Sequence, residues 1–567
     1  MIRSVVGRLV ALLLCPVLAL GQAAAPSTTF QITARIVYVD VVVRDRSGHI
    51  VRGLTQKDFS VVEDGKEQKI DFFRDHTNDV AAASANGKTE RDPLSFSNVD
   101  ASGQTDSSVN IILFDFFNTA PQDYLYARKQ MIRFLEQLPP GRQTALFVLG
   151  TRLEMLQGFT GSTDRLVEAA KAMQLGTSTI ETVGEQQQDI ALGKAFAAAI
   201  GRSASGKNPV SEQNTLSSGE DEIRAADVTR TALDQISAAV SGYPGRKNLY
   251  WLGETFPVYG GPVLELHDTA QAITNNTMST QDIADANRLE ATAQIAVYPI
   301  SLVGLEVGGA GPETDLRPDR EEYARQFNTR QAMHTMLNNL ADTTGGRAYY
   351  GTNDFAGALA RGFEDGSSYY SLAYRPANRN WNGHYRNIAV KMAERGYSLS
   401  YRRGYFAVPD QMSTGATPDG VMTAALQPDT PQATMLRLKA NVELPDAEHA
   451  AVRVASVIDP GNVDFQTDAR GRRHARLLLT LVALPDPAPG TKVEAPKTPL
   501  QTSGMYLVDV DETAYRKVLA EGMPAQQEMK LAPGRYRLRL GVCDLHNRRV
   551  GTLDMPVVVG SSAGIGH

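Results

Sequence analysis

The sequence predicts an α/β core, in which helices cover both faces of a mainly parallel sheet, flanked by two all-β sandwich domains. Three observations support this fold class. Between residues 108 and 365, apolar runs of strand length alternate with segments of helical periodicity. On either side of this region, apolar and polar residues alternate with a period of two. Turn residues separate these alternating stretches at intervals of about ten residues, as in antiparallel β-structure.

The elements of the core follow from hydrophobic periodicity. Residues 109–114 are mostly apolar, as expected of a strand that is covered on both faces. Residues 124–138 place their apolar side chains on one side of a helix. By the same two patterns we predict strands at 144–149, 152–156, 248–252, 295–302 and 347–350, and helices at 163–173, 222–240, 280–293, 321–343 and 354–363. The Gln-, Ser- and Gly-rich stretch at about 178–221 is predicted to be a loop insertion.

Changes in composition and periodicity divide the chain into seven segments. They are a signal peptide at 1–25, an N-terminal β-sandwich at 27–76, a linker at 77–107, the α/β domain at 108–365, a β-hairpin extension at 366–408, a linker at 409–430 and a C-terminal β-sandwich at 431–560.

The first residues have the pattern of a secretory signal. Arg3 and Arg8 precede the apolar run Leu9–Leu20, and small residues follow up to Ala25. The run is shorter than the roughly 20 apolar residues that cross a membrane, so a membrane anchor is the less favoured alternative. We therefore expect an exported protein that stays in the periplasm, lies on the cell surface or is secreted.

Charge and cysteine content limit the function further. The formal net charge of −6 argues against a nucleic-acid partner, which needs a basic face. The sequence has two cysteines, Cys15 and Cys543, and the first lies in the predicted signal peptide. We therefore expect no internal disulfide in the exported chain, and a buried, unreactive thiol at Cys543.

The stretch VNIILFDFFNT places Asp115 directly after the first core strand. Ligands of open α/β sheets bind outside the carboxyl ends of the strands, and Glu254 follows the strand at 248–252 at the same edge. One interpretation is an oxygen-lined cation site. In the other, Asp115 caps the following turn, while Phe116 and Phe117 pack beneath the first helix.

Several motifs occur in a characteristic order. They are VDVVVRDRSGHIVRGLTQKDFSVVEDGKEQKI, NIILFDFFNT, GFTGSTDRL, GRKNLYWLGETFP and YYSLAYRP followed by GHYRNIAVK and RRGYF. In this order they resemble an exported bacterial family whose α/β unit is a divergent, Rossmann-like von Willebrand factor A (vWA) domain. The resemblance covers roughly residues 30–408.

The resemblance implies a degenerate divalent-cation site. The family's first strand ends in Asp-x-Ser-x-Ser, in which Asp115 matches the aspartate and Thr119 the last serine. Phe117 stands at the first serine and cannot bind a metal. The predicted ligands are Asp115, Asn118, Thr119, Thr177 and Glu254. The last two stand for the family's loop threonine and late aspartate. The implied ion is Mg²⁺, with Mn²⁺ or Ca²⁺ as alternatives, because these cations take oxygen ligands.

The function expected from this resemblance is that of a non-catalytic protein-binding or adhesion-type module. It would bind a carboxylate of a protein partner through the cation site. We expect no stable membrane insertion after the signal peptide is cleaved. One alternative is a structural envelope protein in which the metal site is vestigial. A hydrolase is the less favoured alternative, because no nucleophile and base can be paired from the motifs.

Overall fold

The computed structural model describes residues 36–77, 94–99, 108–119, 121–173, 209–243, 245–256, 295–304, 320–407, 417–428, 430–446, 449–486 and 500–560. The predicted signal peptide, the predicted helix at 280–293 and Thr177 lie outside these residues.

The strands are β1 (Val37–Arg44), β2 (Phe59–Glu63), β3 (Lys66–Gln68), β4 (Ile70–Asp75), β5 (Ser95–Ser97), β6 (Val109–Asp115), β7 (Thr144–Leu149), β8 (Leu153–Thr160), β9 (Lys247–Gly253), β10 (Ile295–Ser301), β11 (Tyr370–Tyr374), β12 (Tyr385–Met392), β13 (Ser398–Ser400), β14 (Gly404–Phe406), β15 (Leu438–Glu443), β16 (Val452–Ile458), β17 (Gln466–Thr467), β18 (Arg473–Pro485), β19 (Leu500–Val510), β20 (Met523–Met529), β21 (Gly534–Asp544) and β22 (Val550–Val559). The helices are α1 (Pro121–Gln137), α2 (Thr163–Ala172), α3 (Pro209–Val240), α4 (Arg320–Thr344), α5 (Phe355–Ser367), α6 (Pro418–Ala425) and α7 (Glu512–Glu521).

A five-stranded sheet in the order β10-β9-β6-β7-β8 forms the centre of the α/β unit, which comprises the elements from β6 to α5. The first four strands of this order are parallel, and β8 is antiparallel to β7. Along the chain, successive strands are added first on one side of β6 and then on the other, beginning with β9. Such a switch point is where open α/β sheets bind ligands. The predicted strand at 347–350 contributes one parallel bridge, between Ile300 and Tyr349.

Helices cover both faces of this sheet, as the apolar strand runs predict. Ile111 and Leu113 of β6 lie in a core with side chains of α3 and α4. The alternate residues Ile112 and Phe114 lie in the opposite core with α1, α2 and α5. Burying each of these side chains stabilises the fold by about 1.5–3 kcal/mol.

Helix α3 is longer than the sequence predicts. It begins at Pro209, inside the stretch that was predicted to be a loop insertion. The reason is that residues 209–221 are polar and lack a clear apolar stripe, so hydrophobic periodicity does not reveal them as helical.

The first β unit combines two distant segments, residues 37–75 and 370–406. Its two four-stranded sheets, β13-β1-β11-β4 and β14-β12-β2-β3, share one apolar core. The sequence predicted an N-terminal sandwich and a separate β-hairpin extension, whereas the strands of both segments pair with one another in one unit. Alternation reveals that a strand has a buried face, but it does not reveal which strand lies beside it.

A buried polar network ties these two segments together. Glu63 of β2 is 2% exposed, and its Oε2 accepts hydrogen bonds from the Tyr374 hydroxyl at 2.7 Å and the Tyr405 hydroxyl at 2.9 Å. The Arg386 guanidinium lies 3.4 Å from Glu63 Oε1. A buried carboxylate is tolerated only with such partners, so the network fixes the register between β2 and the later strands.

The second β unit comprises β5 and the elements from β15 to β22. The sheet β20-β16-β15-β5 and the sheet formed by β17, β18, β19, β21 and β22 share a core. Strand β5 lies in the predicted linker at 77–107, and three residues are too few to show alternation. Asn98, directly after β5, donates to the carbonyls of Ala433 and Leu436 and accepts from the Leu438 amide. The predicted linker at 409–430 likewise contains α6.

Hydrophobic periodicity also did not predict β20 and α7 in this unit. Cys543, in β21, is a free and fully buried thiol, which confirms that this residue is buried as predicted. Burial raises its pKa to about 12.

Buried polar contacts attach the first β unit to the amino edge of the central sheet. Arg246, just before β9, donates to the Asp40 carbonyl of β1 at 3.5 Å, and it also donates to the Gly345 carbonyl within the α/β unit at 2.7 Å. Arg44 of β1 forms a two-pronged ion pair with Asp365 in the last turn of α5, with N···O distances of 2.5 and 3.0 Å. Because α5 runs antiparallel to the strands, its last turn also lies at the amino edge.

The second β unit is attached at the same edge, through the end of α3. The Thr434 hydroxyl donates to the Ala239 carbonyl at 2.8 Å and accepts from the Gly242 amide at 2.9 Å. The Thr434 amide donates to the Ala238 carbonyl at 3.0 Å. A β-carbon at position 242 would lie 1.9 Å from the Thr434 carbonyl oxygen, so this contact requires glycine there. Thr434 thus caps the last turn of the helix.

Replacing Thr434 by valine keeps the shape of the side chain but removes both hydrogen bonds of its hydroxyl. We expect Thr434→Val to lower the free energy of unfolding by about 1–3 kcal/mol, measured by urea denaturation, because a buried amide and a buried carbonyl lose their partner. The matched control is Thr467→Val on the exposed strand β17. Equal effects of the two substitutions would contradict the role of Thr434.

Candidate functional site

The candidate site is the turn that follows β6 at the switch point of the sheet. Asp115, the last residue of β6, is fully buried. Its Oδ1 accepts a hydrogen bond from the Asn118 backbone N–H at 2.9 Å, and its Oδ2 accepts one from the Asn118 side-chain Nδ2 at 2.8 Å. Aspartate commonly bonds backbone amides a few residues ahead in this way. The carboxylate therefore caps the turn.

Trp251 reaches the same carboxylate from β9. Its indole Nε1–H donates to Asp115 Oδ2 at 2.9 Å, and both side chains are completely buried. Strands β6 and β9 are parallel neighbours, and the order of the sheet reverses between them. The hydrogen bond therefore joins the two strands across the switch point.

Asn118 extends the network to α3 and to the segment after β9. Its Nδ2 also donates to the Thr229 hydroxyl of α3 at 2.9 Å. Its carbonyl accepts hydrogen bonds from the amides of Thr255 at 3.0 Å and Glu254 at 3.3 Å. A single turn thus fixes three elements relative to one another.

Burial dominates the electrostatics of the turn. Desolvation raises the pKa of Asp115 to about 6, and the hydrogen bonds from Asn118 and Trp251 oppose this shift. Tyr124 of α1 donates to the Phe116 carbonyl at 2.7 Å, and burial raises its pKa. The negative charges of Asp115 and Glu254 add to the shift of Tyr124, so both carboxylates act on the same tyrosine.

The structure brings most of the predicted ligands to one edge but gives them other partners. The Thr119 hydroxyl donates to the backbone carbonyl of Asp115. The Asn118 amide nitrogen faces the Asp115 carboxylate, and the Glu254 side chain is partly exposed. Thr177 lies outside the described residues.

In this arrangement the described residues do not fit a divalent cation. Such a cation needs oxygen lone pairs directed at it, whereas three N–H groups already occupy the carboxylate of Asp115. Within the part of the chain that the structure describes, no three His, Cys, Asp or Glu side chains are grouped closely enough to hold a metal.

The two phenylalanines of the turn lie on opposite sides of the sheet. Phe116 packs in the core with α1, in ring contact with Tyr124 at a centroid distance of 4.7 Å. Phe117 packs against the other core, with α3 and α4. The expectation that both rings lie beneath the first helix is thus correct for Phe116 only, because the turn directs the two rings to different cores.

Sequence reasoning missed Trp251 and Thr229 as members of this site. Trp251 lies in a strand where every residue is buried, so the sequence gives no indication that its N–H has a specific acceptor. A buried indole N–H nevertheless needs a hydrogen-bond acceptor, and a carboxylate at the end of the neighbouring strand can serve as one.

Comparison with known proteins identifies structural neighbours of low similarity. No family model matches the chain, and no curated protein matches it either. An aerotolerance-related membrane protein from Bacteroides fragilis is 11% identical, covering 46% of this chain and 98% of that one at a TM-score of 0.22. BatB from Bacteroides thetaiotaomicron is 13% identical, covering 46% and 96% at a TM-score of 0.23. A von Willebrand factor type A protein from Catenulispora acidiphila is 10% identical, covering 80% and 67% at a TM-score of 0.20.

These structural neighbours include vWA proteins. Because these TM-scores are low, the α/β class rests on the strand order and the two helical layers of the chain itself. Of the helices that the structure describes, none is both long enough and apolar enough to cross a membrane.

The raised pKa of Asp115 predicts a pH dependence of stability. Since this pKa rises from 3.8 to about 6 on folding, the folded chain keeps a proton that the unfolded chain releases between these values. The unfolding free energy of wild type minus that of Asp115→Asn should therefore fall by about 3 kcal/mol between about pH 3 and pH 7. Denaturant titrations at each pH measure this difference, and the exposed Asp164→Asn is the matched control. A difference that grows with pH would mean a lowered pKa, as a bound cation produces.

Proposed function

We propose that the chain is a non-catalytic protein-binding module that presents the carboxyl edge of its central sheet to a partner, without a resident cation at Asp115. The observation that carries this proposal is the placement of the inter-unit contacts. The hydrogen bonds and the Arg44–Asp365 ion pair given above attach both β units at the amino edge of the sheet. The β units then serve as supports, and the opposite edge faces away from them.

The start of α1 lies at this carboxyl edge and supports the proposal. Leu125 is 67% exposed and Tyr126 is 44% exposed, so the start of α1 presents two large apolar side chains to solvent. The Tyr126 hydroxyl donates to the Asn353 carbonyl at 2.8 Å, which holds its ring in place. Partly exposed aromatic side chains held in this way are common in binding surfaces.

The hydrogen bonds of Asp115 favour a mechanism without metal. A cation at this turn would have to displace N–H donors from Asn118 or Trp251, which would leave a buried donor without a partner. Such a loss costs about 1–3 kcal/mol for each group. Under this proposal Asp115 shapes the edge, and the partner contacts exposed residues beside it.

A second candidate mechanism depends on a cation. In it, a carboxylate of the partner completes the coordination shell of Mg²⁺, and experiments on the same protein can test it. Its support is the gathering of Asp115, Thr119 and Glu254 at one edge. The two mechanisms differ in their response to metal and to chelator.

The proposal predicts that Mg²⁺ and Mn²⁺ leave thermal stability unchanged. A site loaded to 100 times its dissociation constant would stabilise the fold by about 2.7 kcal/mol, which raises the melting temperature by several degrees. We expect a shift smaller than about 1 °C in differential scanning calorimetry relative to protein in chelator. A metal-dependent rise that disappears in Asp115→Asn would establish the cation site instead.

The proposal also predicts which substitution removes partner binding. Leu125→Glu should abolish capture of the partner from cell-envelope extract, because it places a charge in the apolar contact, and a chelator should have no effect. The matched control is Leu519→Glu, since Leu519 of α7 is 50% exposed and belongs to the second β unit. Capture that survives Leu125→Glu but is lost in chelator would overturn the proposal.

A further inference from the structure

Strand β19 forms an open edge of the second β unit. It pairs with β18 over all eleven of its residues. Among the strands of the described residues, none pairs with its other side. Such an edge exposes a row of backbone N–H and C=O groups that can accept another strand.

The other edge strands among the described residues have features that hinder pairing with a further strand, whereas β19 has none of them. Strand β17 has two residues, and strands β3, β5, β13 and β14 have three residues each. Strands β20 and β22 contain Pro524 and Pro556, and the pairing of β4 and β8 is interrupted by register shifts. Strand β10 is fully buried and bridges to Tyr349. Strand β19 has no proline, lysine or arginine, and its register with β18 is unbroken.

The register shows which residues of β19 face the open side. The Leu545 amide donates to the Arg476 carbonyl at 3.0 Å, so Arg476 directs its backbone groups towards β21. Directions alternate along an antiparallel strand, so Ala475 and its alternate neighbours in β18 face β19. Ala475 pairs with Val508, hence the even-numbered residues of β19 bond to β18. The odd-numbered residues, from Gln501 to Asp509, face outwards.

At one end of this unpaired side, a side chain of the same chain already occupies the backbone carbonyl. The Arg472 Nη2 donates to the Asp509 carbonyl at 3.0 Å, and its Nε pairs with the Asp509 carboxylate at 2.6 Å. The remaining open stretch therefore runs from Gln501 to Leu507 and contains no charged residue. Its side chains include Met505 at 49% and Leu507 at 69% exposure.

We propose that this edge pairs with the same edge of a second copy of the chain. Four outward-facing residues, at 501, 503, 505 and 507, are arranged symmetrically about Gly504. Antiparallel pairing centred on Gly504 opposes Gln501 to Leu507 and Ser503 to Met505 of the second copy. Each such pair exchanges two backbone hydrogen bonds. The sheets of the two copies become one continuous sheet with a two-fold axis at Gly504.

The chemistry of the edge favours a second copy over a charged peptide. The paired stretch carries no charge that could select an acidic or a basic partner, and the one nearby carboxylate is already neutralised by Arg472. In the two-fold arrangement no like charges are opposed. The pairing also covers Leu500, which is 53% exposed, by placing Val508 of the second copy opposite it.

Sedimentation equilibrium of the full-length protein tests the pairing. Wild type should be a dimer, and Leu507→Lys should raise the dimer dissociation constant at least about tenfold, because two lysines then flank the shared edge. Met505→Pro should do the same, since it removes an outward N–H while sparing the bonds to β18. Leu519→Lys, at an exposed site on α7, is the matched control and should leave the dimer intact. Melting curves verify that the variants fold.

Cysteine cross-linking tests the register. Across the two-fold axis the Gly504 residues form a non-hydrogen-bonded pair with their Cα atoms about 4.5 Å apart, within disulfide range. A β-carbon at Gly504 meets nothing within 4 Å, so Gly504→Cys fits and should give a covalent dimer on mild oxidation. Ser503→Cys should not, because its copies lie beyond about 7 Å. A monomer at all concentrations, or a dimer that resists Leu507→Lys and does not cross-link through Gly504→Cys, would overturn the proposal.

Discussion

The hydrogen bonding of the Asp115 carboxylate is the interaction on which the α/β unit depends at its switch point. A fully buried carboxylate is costly unless its oxygens have partners, and here Asn118 and Trp251 supply three N–H donors. These hydrogen bonds do more than compensate the buried charge of Asp115, because they also connect separate elements. The donors come from the turn after β6 and from β9, and Asn118 continues the network to Thr229 of α3. The shape of the edge follows from this single group.

Under the proposed function, the two edges of the central sheet have different roles. At the amino edge, buried polar side chains such as Arg246 and Thr434 attach the two β units. At the carboxyl edge, the polar groups of the turn are used internally, and exposed apolar side chains such as Leu125 remain for contact with other molecules. The proposed interaction module needs one rigid edge and one edge that a partner can reach, and this division would supply both.

Local periodicity predicted much of the α/β unit. The strand that ends at Asp115 and the strand Lys247–Gly253 were found because buried parallel strands are apolar throughout. The pairing of residues 37–75 with 370–406 was not predictable, because alternation carries no information about a partner some 300 residues away. Strand β5 was too short to show a pattern.

The site was only half predictable, for a similar reason. The strand pattern placed Asp115 and Glu254 at one edge of the sheet, and the resemblance to vWA domains made them candidate ligands. The spacing of ligand oxygens says nothing about nearby N–H donors. Trp251 changes the chemistry of Asp115 from β9, which follows β6 by more than a hundred residues. A residue that matches a metal ligand by position can therefore act as a hydrogen-bond acceptor when a buried N–H is close to it.

The most direct test of this account is the ionisation of Asp115 itself. Carboxyl-carbon NMR of selectively labelled protein, with the Asp115 resonance assigned by its loss in Asp115→Asn, should give a pKa of about 6 that does not change when Mg²⁺ is added. A pKa below the ordinary value of 3.8, or a resonance that shifts on addition of Mg²⁺, would contradict the account.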